Sequence, residues 1–412
     1  MKNKPLNILI LTHWSFKDAL IQSATLPYVK IIREIVPKSI RIILITFEQE
    51  QLALSNSEMD SINIGWKKEN MQLYTFGYFK LGLKKYIGSV KQVWAIRNII
   101  RKEKIGVMHV FGTSNAGSMS VLLNFLTGIP LIIDSYEPHA DCMVENGTWK
   151  ANSFGFRLLL WFERQQTLKG RYFVATTSKV KEYAEKRFGK KPKNFYVKPA
   201  CVDLEKFKTD EKDPELIQSL GLSNKLVCVY AGKMGDMYLK SEIFDFVKVC
   251  EEFWGERFRF LMLSNALKED VQQEASKAGV REETLIHLFA QYNEVSRYMS
   301  VADFALNPVK PVPTKKYCTS IKDGEYWAKG LPVVITKDIS DDSDIIKQEQ
   351  IGYVLEQVNQ KEFRNAVELI DRLLKKEGRS SLQKRIREIA VRYRSYNVAK
   401  EVYTAIYTDI LN

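Results

Sequence analysis

Two groups of residues in the second half of the sequence have the chemistry needed to bind phosphate and sugar hydroxyl groups. The first follows a short apolar run, Leu226–Ala231, and consists of Gly232, Lys233 and, further on, Lys240. Glycine lets the backbone turn sharply and approach a ligand closely, and two lysines near the start of a helix supply the positive charge that a diphosphate requires. The alternative is an ordinary turn with two solvated lysines.

The second group follows a loop rich in proline and lysine and contains Ser320, Ile321, Lys322 and Glu325. The pattern predicts that a helix begins near Ser320, where free backbone N–H groups would hold a phosphate. Glu325 would lie on the first turns of this helix, and a carboxylate that accepts two hydroxyl hydrogen bonds suits a ribose diol. The alternative is an amphipathic helix capped by Ser320, with Glu325 solvated.

Strands are needed to bring these residues to one edge of a sheet. Short, nearly continuous apolar runs alternate with longer amphipathic stretches, which predicts parallel strands covered by helices on both faces. The predicted fold class is α/β, with two Rossmann-like doubly wound domains facing across a cleft. The predicted strands are Asn7–Thr12, Arg41–Phe47, Gly106–Phe111, Leu131–Asp134, Tyr172–Thr176, Leu226–Ala231, Phe258–Leu263, Leu285–Phe289, Phe304–Asn307 and Pro332–Thr336.

The alternation pauses over residues 200–224, where polar residues predominate. This pause predicts an N-terminal domain at 1–200, a linker at 201–224, a C-terminal domain at 225–387 and a C-terminal helical segment at 388–412. One long helix is predicted over Ser381–Leu411. Ligands of doubly wound sheets bind beyond the carboxyl ends of the strands, so the cleft between the domains is the expected site.

Composition narrows the classes of partner. The 412 residues carry a net charge of +13, which favours anionic partners, but no nucleic-acid-reading motif accompanies it and no nucleic-acid partner is expected. The five cysteines and four histidines show no metal-site spacing, so neither a metal nor another cofactor is expected. No uncharged apolar run reaches 18 residues, which predicts a cytoplasmic protein.

The run from Glu325 to Val334, Glu-Tyr-Trp-Ala-Lys-Gly-Leu-Pro-Val-Val, resembles a block of known glycosyltransferases. The family 4 enzymes, which are retaining, use nucleotide sugars and have the GT-B fold, carry Glu-x-x-Ala-x-Gly-x-Pro-Val-Val. The segment Val197–Phe207 and the placement of Lys233 and Lys240 are similar to that family as well. In the family, the glutamate binds the ribose of the donor nucleotide, and the two basic residues hold its diphosphate.

The resemblance implies a hexosyltransferase-type glycosyltransferase that moves a sugar from a nucleoside-diphosphate-sugar donor to an acceptor. It implies retention, metal independence and a role in glycan or polysaccharide assembly. The C-terminal domain would bind the donor, the N-terminal domain the acceptor, and the 388–412 helix would cross back to the N-terminal domain. The implied donor-binding residues are Gly232, Lys233, Lys240, Ser320, Ile321, Lys322 and Glu325.

A third group of residues, 134–141, follows the fourth predicted strand. Family members often have a histidine in this loop near the donor sugar, so the resemblance implies a catalytic role for His139 beside Lys233 and Lys240. A loop histidine without a catalytic part is the alternative. The implied contacts with the sugar or the acceptor are Trp14, Glu137, His139, Asp141 and Tyr317.

The sequence departs from the family's pattern at two places. Tyr317 stands where many members have a second glutamate, eight positions before Glu325, and Trp14–Asp18 replaces the usual Gly-Gly loop after the first strand. Three alternatives to a retaining transferase therefore stay open. They are a nucleotide-sugar 2-epimerase, an inverting GT-B enzyme, and a catalytically silent protein that binds sugar nucleotides.

Residues 78–104 are basic and aromatic, and Val93, Ile96 and Ile100 recur at helical spacing as an apolar stripe. Many family members use lipid-linked acceptors, so the resemblance implies a sugar or lipid-linked acceptor and peripheral contact with anionic membrane at its inner face. A solvated helix whose stripe packs on the sheet is the alternative. The Arg157–Lys169 helix is predicted to pack in the core.

Overall fold

The computed structural model describes residues 7–18, 20–79 and 83–412 and separates the chain into two compact units. The first unit comprises Met1–Pro199 and Tyr396–Asn412, and the second comprises Ala200–Ser395. Both are built on parallel sheets covered by helices, which confirms the predicted α/β fold class. Residues 201–224, predicted as a linker, belong to the second unit.

The first unit contains, in its described part, seven parallel strands. They are β1 (Asn7–Leu11), β2 (Ile42–Glu48), β3 (Met71–Gly77), β4 (Ile105–Phe111), β5 (Leu131–Ser135), β6 (Gly170–Ala175) and β7 (Phe195–Val197). Their order in the sheet is β3-β2-β1-β4-β5-β6-β7. The order reverses between β1 and β4, so the loops that follow these strands flank the place where doubly wound sheets bind ligands.

Helices pack against this first sheet, and its central strands are mostly apolar and buried. They are α1 (Leu26–Ile35), α2 (Asn56–Lys67), α3 (Leu83–Lys102), α4 (Asn115–Thr127), α5 (His139–Glu145), α6 (Phe154–Lys169) and α7 (Val180–Phe188), with a π-helical turn at Ile21–Thr25 before α1. The apolar stripe predicted on α3, which consists of Val93, Ile96 and Ile100, is buried. Phe156 and Leu159 of α6 are buried as well, in agreement with the prediction that this helix packs in the core. Lys80, part of the predicted basic region, lies outside the described residues.

The second unit repeats the same plan. Its described strands are β8 (Leu226–Ala231), β9 (Phe258–Leu263), β10 (Leu285–Leu288), β11 (Phe304–Asn307), β12 (Val333–Thr336) and β13 (Gly352–Leu355). They are parallel and lie in the order β10-β9-β8-β11-β12-β13. The reversal here lies between β8 and β11, so the loops after those two strands flank the corresponding place.

The helices of the second unit include one inside the predicted linker. They are α8 (Pro214–Ser219), α9 (Ser241–Trp254), α10 (Lys268–Lys277), α11 (Tyr292–Met299), α12 (Ile321–Ala328), α13 (Asp342–Glu349), α14 (Gln360–Glu377) and α15 (Arg379–Arg394). The single helix predicted over Ser381–Leu411 is wrong. Ser395 is extended and pairs with Val202, which ends α15 and lets α16 (Tyr396–Leu411) begin in the first unit.

A buried polar network fixes α16 to the first unit. The carboxylate of Asp134, at the end of β5, accepts a hydrogen bond of 2.6 Å from Tyr403 and lies 3.5 Å from the Lys198 ammonium. His109 on β4 is 2.9 Å from the Tyr407 hydroxyl. Because these groups are buried and joined to one another, α16 has a defined rotation against α1 and the sheet.

Candidate functional site

The loop after β8 leaves room for a side chain from α12. Gly232 lacks a Cβ, and a Cβ built there would lie 2.5 Å from Cε of Lys322 and 2.8 Å from the hydroxyl of Tyr230. The peptide N–H of Ala231 donates to the Tyr326 hydroxyl at 3.0 Å, which ties the end of β8 to α12. The structure therefore brings the first two predicted groups together, and the absence of a side chain at Gly232 leaves the space that the end of Lys322 occupies.

The two predicted lysines of this loop occupy different environments. Lys233 is exposed, and its carbonyl accepts a hydrogen bond from the Tyr230 hydroxyl. Lys240 precedes the first turn of α9, and its ammonium lies 3.3 Å from Glu274 of α10 with its side chain 52% exposed. Lys240 is thus held at the carboxyl edge of the sheet by a buried carboxylate, within reach of solvent.

Lys322 is held in place by an aromatic neighbour. Its ammonium donates to the Tyr238 hydroxyl at 2.6 Å and lies 4.1 Å from the centre of that ring. Tyr238 belongs to the loop after β8 and pairs with Val309, which follows β11. The two loops that flank the reversal of strand order therefore meet at Lys322, and they present a fixed positive charge there.

The helix predicted from the sequence begins where expected, but it starts differently. Ser320 precedes α12, and its side chain makes no capping bond; instead its hydroxyl accepts from the Asn307 amide at 3.0 Å. Its backbone N–H donates to Asp342. The alternative of a helix capped by the Ser320 side chain is therefore wrong, because that side chain binds Asn307 instead.

A buried cluster of charged groups supports the start of α12. The Asp323 carboxylate accepts from Asn307 at 2.8 Å, and Asp342 is bonded to the buried guanidinium of Arg394. Burial raises the pKa of Asp323 well above its ordinary value, and the neighbouring Asp342 raises it further. The charge of Arg394 acts in the opposite direction and lowers the pKa of both carboxyls.

Glu325 is buried, so the alternative of a solvated glutamate is wrong. Glu325 is 6% exposed, and burial raises the pKa of its carboxyl to about 7. The charge of Lys322, a hydrogen bond from Tyr292 and the charge of Lys206 act in the opposite direction. Glu325 is therefore a carboxyl that ionises near neutral pH and lies among positive and hydroxyl groups.

Sequence reasoning missed three residues that surround Lys322 and Glu325. They are Lys206, Tyr238 and Tyr292. Lys206 lies in the predicted linker, and its ammonium is 3.5 Å from the centre of the Tyr292 ring at the start of α11. The segment around Lys206 resembles the glycosyltransferase family, which was the available signal. The two tyrosines had no signal, because only the folded chain brings them to Lys322 and Glu325.

The remaining predicted residues of the second unit border this cluster. Ile321 is half-buried as the first residue of α12 and packs against the core. Tyr317 ends a 3-10 helix, Pro313–Tyr317, just before α12 and is half-buried. Tyr317 therefore lies on the segment that leads into the predicted donor site.

In the first unit, His139 is the first residue of α5 and follows β5 closely. Its Nδ1 lies 3.1 Å from an oxygen of Glu137, and the other oxygen of Glu137 accepts from Cys142 at 3.4 Å. The His139 side chain is 30% exposed and that of Glu137 is 22% exposed. The structure thus forms a half-buried imidazole–carboxylate pair at the carboxyl edge of the first sheet.

The other two predicted contacts of the first unit are placed differently. Asp141 accepts from the Tyr183 hydroxyl at 2.6 Å and from Arg187 at 2.9 Å, so its carboxylate joins α5 to α7. Trp14 is half-buried in the loop after β1, with its ring 4.8 Å from that of His13. Beside this loop lies an open groove of about 540 Å³ between Phe16, Lys17 and α2.

Over residues 7–18, 20–79 and 83–412, no three His, Cys, Asp or Glu side chains are grouped as ligands for a metal ion. Within the same residues, no helix has the length and apolar character needed to cross a membrane.

Comparison with known proteins identifies the fold. No protein-family model matches the sequence, and no curated protein matches it either. The Anabaena protein HepE in complex with UDP is similar in structure, with a TM-score of 0.70, 13% identity, and coverage of 98% of this chain and 100% of HepE. A glycosyltransferase from Rickettsia africae has a TM-score of 0.69 and 14% identity, with 98% and 99% covered.

A third similar structure belongs to a protein with a different proposed activity. It is a putative UDP-N-acetylglucosamine 2-epimerase from Listeria monocytogenes, with a TM-score of 0.60, 12% identity, and 98% and 97% of the two chains covered. At such identities, similarity establishes the fold alone. Two doubly wound parallel sheets, matched over nearly the whole chain by glycosyltransferase structures, show that this chain has the GT-B fold.

Proposed function

We propose that the chain is a glycosyltransferase that takes a sugar from a nucleoside-diphosphate-sugar donor, bound by its second unit. The observation that carries this proposal is the cluster of Gly232, Lys322 and Glu325 at the reversal of strand order between β8 and β11. It combines a fixed cation, a backbone without a side chain, and a carboxyl suited to a diol. The UDP bound by HepE is consistent with such a donor.

The leaving group of this reaction is a nucleoside diphosphate, whose charge increases as the bond to the sugar breaks. Lys322, fixed by Tyr238, and the nearby Lys240 and Lys233 would stabilise that charge. Such preorganised donors are often the largest contribution to catalysis because they need no reorientation during the reaction. Glu325 would accept the hydrogen bonds of the ribose diol, and Ser320 and Ile321 would approach the phosphates through the first turn of α12.

The finer part of the proposal follows the family 4 resemblance. We infer a metal-independent, retaining transfer, in which the lysines replace a divalent cation and His139 contacts the transferred sugar. Glu137 would orient the His139 ring through the 3.1 Å contact. The acceptor would be a sugar or a lipid-linked glycan in polysaccharide assembly, bound by the first unit near Trp14 and the adjoining groove.

A mass-spectrometric screen of nucleotide sugars, with and without a panel of glycan acceptors, tests the proposal. We expect one donor class to release its nucleoside diphosphate, faster with a suitable acceptor, and the anomeric configuration of the product to be retained. Conversion of a donor to its 2-epimer without any acceptor would instead identify an epimerase, as the similar Listeria protein is described. Binding without breakdown of any donor would identify a catalytically silent protein.

We also propose peripheral contact with the inner face of an anionic membrane. On the adjacent helices α3 and α4, Trp94 is 50% exposed and Phe125 is 54% exposed. The Arg97 guanidinium lies 5.0 Å from the Trp94 ring, and the Lys169 ammonium lies 4.1 Å from the Phe125 ring. Exposed aromatic groups with cations beside them match the boundary between acyl chains and anionic headgroups.

Vesicle flotation tests this contact. The chain should float with vesicles of phosphatidylglycerol more than with phosphatidylcholine, and the double variant Trp94→Ala/Phe125→Ala should lose most of that binding. Leu267→Ala is the matched control, because Leu267 is a 66% exposed apolar residue of the second unit. Equal flotation of the double variant and the control would contradict the proposed surface.

A further inference from the structure

Glu163 is a buried carboxylate in the middle of α6 that contacts the beginning of α5. Glu163 is 5% exposed, and one of its carboxylate oxygens accepts a hydrogen bond from the peptide N–H of Ala140 at 3.0 Å. The same oxygen accepts from the Thr113 hydroxyl at 3.4 Å, and the backbone N–H of His139 also donates to the carboxylate. Glu163 therefore binds the first two residues of the helix on which His139 lies.

This arrangement costs free energy that a neutral side chain would avoid. The second oxygen of Glu163 is buried without a hydrogen-bond partner among the described residues. Burial raises the pKa of Glu163 to about 7, opposed by the Ala140 bond and by the charge of His139. A buried carboxyl is costly unless it is paired, so packing alone does not account for a glutamate at this position.

The charged and titratable groups around Glu163 come from two elements, α5 and α7. From α5, His139 lowers the Glu163 pKa and Asp141 raises it. On α7, burial is the main cause that raises the pKa of the Tyr183 hydroxyl, and the charge of Glu163 raises it further. Arg187 of α7 neutralises Asp141 at 2.9 Å. His139 is therefore the nearby group whose charge favours an ionised Glu163.

We propose that Glu163 is a positioning residue, which fixes the turn from β5 into α5 and thereby orients the imidazole of His139 for the transfer step. The inference rests on the proposed function and adds to it a residue that does not touch the substrate. Glu163 acts through two peptide N–H groups and Thr113, while Glu137 contacts the ring itself. A displacement of about 1 Å in a catalytic group costs about a hundredfold in rate, so this support is a large effect.

The test is a double-mutant cycle between Glu163→Gln and His139→Ala, assayed on the donor found in the screen. Glutamine keeps an oxygen that accepts from Ala140 and removes the charge. We expect Glu163→Gln to lower kcat about tenfold, with the KM of the donor unchanged, and to have no further effect once His139 is alanine. Equal losses in both backgrounds would overturn the proposal, because they would show that Glu163 does not act through His139.

The pH profile and a control variant separate this role from a general loss of structure. Wild-type kcat should rise as the pH increases through about 7, where Glu163 ionises, and this rise should be absent in Glu163→Gln. Glu103→Gln, which alters an 8% exposed carboxylate bonded to Arg41, should leave kcat unchanged. An unaltered profile in Glu163→Gln would also overturn the proposal.

Failure of the proposed function would be recognised separately. If the wild-type chain turned over no donor, the coupling would still be measured by NMR of ¹⁵N-labelled histidine, with the four signals assigned by His-to-Ala variants. Glu163→Gln should then shift the ring signals of His139 and leave those of His287 in the second unit in place. Unchanged His139 signals would overturn the positioning role whatever the activity of the chain.

Discussion

Glu163 in the first unit and Glu325 in the second unit are two buried carboxyls whose pKa burial raises to about 7. Their surroundings differ. Glu163 accepts hydrogen bonds from the peptide groups that begin α5, whereas Glu325 lies near the side chains of Lys322, Lys206 and Tyr292. The partners of Glu163 are peptide groups of a helix, whereas the hydrogen bond to Glu325 comes from the side chain of Tyr292.

This difference separates positioning from binding. A carboxyl bonded to the backbone fixes the chain and has little capacity left for a ligand. A carboxyl whose hydrogen bond comes from a side-chain hydroxyl, as Glu325 receives from Tyr292, can exchange that partner for the hydroxyl groups of a ligand at small cost. Under the proposed function, this difference predicts nucleotide binding in the second unit and orientation of His139 in the first.

Loss of a lysine at the donor site should have the largest effect. Lys240→Ala should lower the rate of transfer about 10²–10³-fold, because it removes one cation that stabilises the leaving diphosphate. Lys347→Ala is the matched control, since Lys347 is similarly exposed and paired with Glu356. Steady-state kinetics on the screened donor measure both variants, and full activity of Lys240→Ala would remove that residue from the site.

The ionisation of Glu163 and Glu325 should also change the free energy of unfolding with pH. In the folded chain the pKa of each carboxyl is raised from 4.5 to about 7. The folded chain therefore keeps its full stability below pH 4.5, where both carboxyls are protonated, and loses stability as the pH rises from 4.5 to 7. Glu163→Gln and Glu325→Gln should therefore each gain about 3 kcal/mol relative to wild type between pH 4.5 and pH 8. Urea unfolding at the two pH values measures the change.

A carboxyl with the opposite shift provides the control for these stability measurements. The hydrogen bond from Arg385 lowers the pKa of Glu377, so its ionised form stabilises the folded chain. Glu377→Gln should accordingly lose stability relative to wild type as the pH rises. A gain in Glu377→Gln, or no pH dependence in the other two variants, would contradict the electrostatic argument.

Affinity for the nucleoside diphosphate, without the sugar, should depend on the second unit alone. Glu325→Gln should weaken nucleoside diphosphate binding about tenfold to a hundredfold, as expected for hydrogen bonds to a charged group. Wild-type affinity should rise as the pH increases through about 7, because the ionised carboxylate is the stronger acceptor for a diol. Calorimetric titration measures both, and His139→Ala, in the first unit, should bind the nucleotide as wild type does.

The smallest effect is expected at Gly232. A methyl group there would displace the Lys322 side chain, whose Cε would otherwise lie 2.5 Å away. The lysine end is flexible, so we expect Gly232→Ala to fold and to lose about tenfold in donor affinity by misplacing the Lys322 ammonium. Gly65→Ala is the control, because no atom lies within 4 Å of a Cβ built there. Unchanged affinity in Gly232→Ala would show that Lys322 is not at the site.

The sequence predicted most of the central strands because their residues are apolar without interruption, as in β2 and β8. It did not predict β3, whose seven residues include polar ones because this strand lies at the edge of its sheet. It also missed β7 and β13, which have three and four residues. The helix across Ser395 was predicted as continuous, because no proline or glycine marks the break.

At the candidate site, Gly232, Lys322 and Glu325 were predicted because residues of these types lie at recognisable positions. Their environment was not predictable, since Tyr238 and Tyr292 reach them only after the chain has folded. Glu163 gave no signal either. It lies within an amphipathic helix, where a glutamate is ordinarily solvated, and its burial depends on contacts with Ala140, 23 residues away.

Both peptide connections between the units start from one place in the second unit. Val202 pairs with Ser395, and the Arg394 guanidinium donates to the Ala200 carbonyl at 3.0 Å. The second unit is thus one uninterrupted stretch whose first and last residues are neighbours, while the first unit is interrupted to receive it. This is the layout of an inserted domain, which a host chain accepts readily when the ends of the insert are adjacent. The two ends of the second unit are therefore held together by the buried Arg394 guanidinium and by the pairing of Val202 with Ser395.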